Sequence, residues 1–106
     1  MKKLTLNQVL MESLKDPKEA AAYLDVALEE KDIDAFLHAL RTVAEAQGGM
    51  SAIARKTRLN RAGLYRMFTS EGNPSFRNVA RVVGSLGYKI RFERQTARLG
   101  TRAAGK

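Results

Sequence analysis

Apolar residues recur at helical spacing along most of the chain, and the polar residues between them mark where each helix starts. Thr5-Leu6-Asn7-Gln8 has the form of a capping box, in which a hydroxyl and a Gln side chain each satisfy a free backbone N–H. A first helix is therefore predicted from Thr5, with Leu6, Val9, Leu10 and Leu14 on one face. Asp16-Pro17 opens a second, with Asp16 as N-cap and Pro17 at the position where a missing N–H is harmless. Its apolar stripe is Ala20, Leu24, Ala27 and Leu28, and Asp25, Glu29 and Glu30 fall outside that stripe. Asp32 caps a third helix that buries Phe36, Leu37, Leu40, Val43 and Ala44 and stops at Gln47-Gly48-Gly49, where glycine supplies a left-handed residue.

The second half continues with shorter units. A helix from about Met50 to Thr57 is followed by a turn through Arg58-Leu59-Asn60, and another helix runs from Arg61 to Phe68. After a loop over Thr69–Asn73, Asn73-Pro74 is expected to start a last helix, with Phe76, Val79, Val82, Val83 and Leu86 inward and Gly87 as its end. The period then switches from helical to two. Tyr88, Ile90 and Phe92 alternate with Lys89, Arg91 and Glu93, which predicts a β-strand over 88–95. A lone strand leaves its backbone groups unpaired, so pairing with a second copy of the chain is expected, with Tyr88, Ile90 and Phe92 as the dimerisation residues. From Thr96 to Lys106 the chain is small, polar and basic, the composition of a disordered tail.

Bulk properties narrow the function. At 106 residues and 44% hydrophobic, one domain over 1–95 is expected, with room for a helical core but not for a substrate-enclosing enzyme fold. Within it, residues 1–47 are the N-terminal helices and 48–87 hold the paired short helices and the final helix. There is no cysteine, which removes disulfides and thiolate metal sites. No apolar run approaches the roughly 20 residues of a membrane span, and the N-terminus lacks the apolar stretch of a secretory signal, so a soluble cytoplasmic protein is expected. The charge of +8 divides unevenly. Residues 1–47 carry six Lys/Arg against nine Asp/Glu, a net of −3, whereas 48–106 carry thirteen against two, a net of +11. The basic half suits a polyanion, because each phosphate it neutralises releases condensed counterions.

The segment Met50–Thr69 gives that polyanion a reader. Ile53, Leu59, Leu64 and Met67 are apolar where two short helices would share a core, and Ala54 is small where they would cross. Asn60 is a favoured N-cap for the second helix. Arg61, Ala62, Tyr65, Arg66 and Thr69 then share the face left outside the core. Short side chains flanked by arginines near a helix start suit insertion into a major groove.

On these residues the segment resembles the helix-turn-helix of the λ-repressor-like (Xre) class. The wider chain resembles the addiction-module antidotes, the HigA-like antitoxins of toxin–antitoxin pairs. The closer match is carried by Asp16-Pro17, Ala21-Ala22-Tyr23-Leu24, Ala27-Leu28-Glu29-Glu30, Phe36-Leu37 and Ala39-Leu40-Arg41. It continues through Val43-Ala44-Glu45-Ala46, Gly48-Gly49-Met50-Ser51, Leu64-Tyr65 and Gly72-Asn73-Pro74, spanning about residues 12–92. One position departs from the class, which usually has glycine in the turn where this chain has Arg58. A left-handed non-glycine residue there costs about 1 kcal/mol.

The resemblance implies a DNA-binding site in which Arg61, Ala62, Tyr65 and Arg66 read bases and Met50 or Ser51 approaches the groove from the preceding helix. Tyr65 either reads with them or packs its ring at the core edge and offers only its hydroxyl. Thr69, Ser70 and the free N–H groups of the helix starting near Asn73 suit phosphate. The resemblance also implies autoregulation of an operon and a cognate RNase-like toxin as protein partner. A basic toxin would meet the acidic half, for which Asp25, Glu29 and Glu30 are the candidate contacts.

Other constellations explain less. His38 with Asp34 lacks a third metal ligand, and the acidic trio reads as a solvated helix face rather than an acid–base pair. Gly48-Gly49-Met50-Ser51 has no strand before it and no Lys-Ser/Thr after it, so it is not a phosphate-binding loop. No catalytic residues, metal or cofactor are assigned, and an enzyme is not expected. The sequence reading is an all-α, λ-repressor-like helix-turn-helix bundle of five to six short helices with one C-terminal β-strand, acting as an operator-binding repressor and antitoxin and forming a homodimer. Two alternatives stand beside it: a free-standing phage-type repressor without a toxin, and a basic interaction protein without sequence specificity.

Overall fold

Local capping chemistry sets where the helices begin. In the computed structural model, which describes residues 4–69 and 73–95, the chain forms α1 (Leu6–Ser13), α2 (Pro17–Glu29), α3 (Ile33–Ala46), α4 (Gly49–Thr57), α5 (Arg61–Met67) and α6 (Phe76–Ser85). Thr5 accepts from the backbone N–H of Gln8 at 3.0 Å while its own N–H donates to the Gln8 side chain at 2.8 Å, completing the capping box. Asp16 accepts from Lys18 N–H, and Asp32 accepts from Asp34 and Ala35 N–H, as their positions in the sequence predict.

The core forms around α3 and α4. Helix α3 packs on α1, α2 and α4, and α4 packs on α5 and α6. Leu14, Leu24, Leu40, Val43, Ile53, Leu64, Val82 and Phe68 join in one buried cluster. The break between α3 and α4 depends on backbone freedom, since Gly48 and Gly49 have φ of 109° and 85°, a region that disfavours any side chain. At the other end of the bundle, Gly87 has φ of 93°, and Tyr88 N–H reaches back to the Val83 carbonyl at 3.2 Å, closing a Schellman motif after α6. Tyr88 is then held through its hydroxyl. It donates to the Pro17 carbonyl at 3.2 Å and accepts from the Gln47 side chain at 3.0 Å, while the same Gln47 amide donates to the Leu14 carbonyl at 2.9 Å.

Several expectations are corrected. The last helix does not start at Asn73-Pro74. Ser75 is its N-cap, accepting from Asn78 N–H at 3.1 Å, and Asn73 sits left-handed at φ of 43°. Phe76, expected to face inward, is therefore in the first turn and 71% exposed. Leu6, Val9 and Leu28 are also exposed, so α1 contributes to the core mainly through Leu14 at its C-cap. Helix α4 begins one residue early at Gly49, and Phe68 caps α5 rather than ending it. Among the described residues there is no strand, and residues 88–95 carry no ladder within one chain. The expected tail from Thr96 lies outside the described residues. No described helix is long and apolar enough to cross a membrane.

Candidate nucleic-acid interface

The turn between α4 and α5 is built by three side chains. Thr57 is buried; its hydroxyl donates to the Ile53 carbonyl at 2.7 Å and accepts from Leu59 N–H at 3.2 Å, so it closes one helix and fixes the residue that leads into the next. Between them, Arg58 is left-handed, with φ of 65° and ψ of 19°. That is a conformation that favours glycine over any residue with a side chain. Asn60 then caps α5 by accepting from Gly63 N–H at 2.6 Å. A Cβ on Gly63 would lie 3.1 Å from that Asn60 oxygen, so glycine keeps the cap close. Ile53, Leu64 and Met67 are buried, with Leu59 and Ala54 half-buried beside them, as their spacing predicts.

What remains outside is cationic. Arg61, Ala62, Arg66 and Thr69 are exposed on α5 and its end, and Ser51, Arg55, Lys56 and Arg58 are exposed on and after α4. Among the described residues the ion pairs are Lys15–Glu12 and Arg41–Glu45, so none of these cations is neutralised by a carboxylate. Tyr65 is half-buried against the core, with the Arg41 guanidinium 5.3 Å from its ring centre and that of Arg61 at 5.9 Å. The ring is thus a packed platform between two cations, and it holds Arg61 toward the exposed side.

Other candidate residues fall differently. Met50 is 5% exposed and belongs to the core, because starting α4 at Gly49 turns its second residue inward; Ser51 is the exposed neighbour. Thr69 donates its hydroxyl to the Arg66 carbonyl at 2.9 Å, so the hydroxyl closes the helix end instead of offering its proton outward. Asn73 is exposed but two residues ahead of the α6 cap, and the Asn78 N–H is taken by Ser75, which leaves the first N–H groups of α6 at Phe76 and Arg77. Ser70 lies outside the described residues. Asp25, Glu29 and Glu30 are all exposed on α2. Arg41 was not legible as a site residue: its spacing to Glu45 reads as an ordinary helix pair, and only the fold carries it over Tyr65. A cleft of about 240 Å³ beside α5 is lined by Asn60, Arg66, Asn73, Ser75 and Asn78 together with apolar Leu59, Met67 and Pro74, a mixed recess next to Arg66.

Comparison with known proteins adds a family. A family model described as "probable addiction module antidote protein" matches residues 5–94. An uncharacterized protein of Haemophilus influenzae is 37% identical over 87 residues, which covers 82% of this chain and 87% of that protein. No solved structure matches the chain.

Proposed function

The chain belongs to the family of probable addiction module antidote proteins, and from that premise we propose that it neutralises a cognate toxin and represses its own operon by binding operator DNA through α5. Family membership makes it the antidote half of a toxin–antitoxin pair; the DNA-binding half of the reading rests on the α4–α5 unit. The observation that carries it is a cationic face that makes no ion pair among the described residues, Arg61 and Arg66 flanking Ala62, on a short helix locked by buried Leu64 and Met67. Arginine makes two hydrogen bonds to guanine O6 and N7, and a small residue between two arginines lets the helix come close to the base edges. Exposed Lys56, Arg55 and Arg77 on the flanking helices suit phosphate, which sets register without reading sequence.

In this reading two copies bind a pseudo-palindrome, joined through the segment from Tyr88 to Phe92, so that reading helices meet successive major grooves about 34–36 Å apart. The toxin is an RNase-like protein whose basic surface meets the exposed acids of α2. Gel shifts on the chain's own promoter and on a scrambled duplex test the DNA-binding part. Arg61→Ala and Arg66→Ala should each lose about 1–3 kcal/mol on the promoter and much less on the scrambled duplex. Equal losses on both would make these arginines phosphate contacts and remove α5 from base reading. Copurification with the product of the adjacent gene tests the toxin part.

A further inference from the structure

An apolar groove of about 490 Å³ runs between α2, α3 and α6, and none of the α5 arginines lines it. Its floor is buried Leu24, Leu37 and Val83, but its rim is open: Ile33 is 63% exposed and Phe76 71%, with Leu28 and Ile90 near half. Residues Tyr88 to Arg91 of the same chain form one edge. We infer that the groove is a docking site for a second copy of this chain, whose arm tip, residues 92–95, covers it with Phe92. The inference rests on the dimer reading above and adds what fills the groove.

Four observations point to that occupant. First, the arm's root is fixed at the groove's edge by the Schellman turn at Gly87 and the two hydrogen bonds of the Tyr88 hydroxyl. Ile90 reaches the rim, but Phe92, two residues on, is 95% exposed, the most exposed large apolar side chain among the described residues. The chain's own arm thus covers one edge and leaves its last apolar residue without contacts. Second, the charges suit it. The groove has Asp25 on one wall and Lys89 and Arg91 on the other, and the arriving tip beyond Arg91 brings one Glu93 and one Arg94, one sign for each wall.

Third, the exposed parts of Leu28, Ile33, Phe76, Ile90 and Phe92 come to roughly 650 Å² per copy, taking about 200 Å² for a large side chain. That approaches the roughly 800 Å² per partner of an ordinary specific interface. Fourth, Asn73 and Pro74 line both this groove and the cleft beside Arg66, so a copy seated in the groove lies next to α5.

Engineered cysteines in the full chain test this, since it has none of its own. Phe92→Cys mixed with Leu28→Cys or Phe76→Cys should give a reducible covalent dimer on mild oxidation, more than any of the three alone. Phe92→Asp should raise the dimer dissociation constant at least tenfold with unchanged far-UV circular dichroism, as expected when a buried Phe contact is lost. If Phe92→Cys alone gives all the cross-linking and mixing adds none, the arms pair with each other, the groove is open, and the inference fails while the dimer reading stands. A chain that is monomeric at 100 µM sinks both. If the groove cysteines react freely with a thiol reagent until the purified toxin is added, the occupant is the toxin, and the inference is overturned.

Discussion

Arg58→Gly should stabilise the protein. Arg58 is the residue after α4, with φ of 65°, and its side chain is exposed and makes no ion pair among the described residues. In the left-handed region a Cβ crowds the following carbonyl, a strain of about 1–2 kcal/mol that glycine does not carry. Glycine also gives the unfolded chain more freedom, which offsets about 0.5–1 kcal/mol of that gain. The expected net is therefore about 0.5–1 kcal/mol in favour of the variant. For a chain of this size that is a rise in midpoint of roughly 2–8 °C, read by thermal circular dichroism at one fixed protein concentration. Urea denaturation gives the free energy directly, with an unchanged slope if only the folded strain has been removed. Arg58→Val, branched at Cβ, should move the other way. A Gly variant less stable than the parent would refute the strain argument and mean that the Arg58 side chain makes a stabilising contact of its own. If the variant is more stable yet binds its operator less well, Arg58 is also a phosphate contact, and its departure from glycine has a functional reason.

Tyr88→Phe removes the hydroxyl that joins Gln47 to Pro17, so it should destabilise the chain by about 1–3 kcal/mol, seen in urea denaturation; no change would mean water replaces the bridge. Leu64→Ala empties a fully buried position between the two short helices and should cost about 2–5 kcal/mol, with operator affinity falling as the fold does. Glu29→Lys with Glu30→Lys should weaken the toxin complex and leave operator affinity unchanged, Asp25 being left in place because it lines the groove. Calorimetry on the pair that shows no loss would remove this face of α2 from the toxin interface.

Much of the fold is legible because helix starts are chosen by local chemistry. Thr5, Asp16, Asp32 and Asn60 each cap a backbone N–H two or three residues on, and that bond needs nothing from the rest of the chain. The same logic explains the error at α6. Asn73-Pro74 has the look of a cap followed by a first-turn proline, but Ser75 competes for the role one residue after the proline, and Ser75 takes it. Sliding the start to Phe76 leaves that side chain exposed in the first turn. At α4 the reverse slip, one residue toward the N-terminus, carried Met50 into the core and left Ser51 as the residue facing outward. The contact of Arg41 with Tyr65 lies beyond reach of any local pattern, since α3 meets α5 there only in the folded chain, whereas Arg61 and Tyr65 are an ordinary i,i+4 pair on one helix.

Periodicity says which residues share a face and leaves open whether anything covers it. Leu14, Leu24 and Val83 recur at the same spacing as Leu6, Leu28 and Phe76, yet the first three are buried and the second three are not. The difference lies in length and number: the six helices of the described residues, the longest of 14 residues, enclose one cluster and leave the outer ends of α1, α2 and α6 uncovered. A period-two run such as Tyr88 to Phe92 fails in the same way, because among the described residues no segment pairs with its backbone. Leu28 and Phe76, expected in the core, are therefore exposed, as is Phe92, expected at a dimer contact. Under the proposed dimer, a second copy is what would cover those positions. Separating core from interface in such a chain requires the mass of the wild type and of Phe92→Asp side by side, since loss of a core residue lowers stability at every concentration and loss of an interface residue lowers it only where the dimer forms.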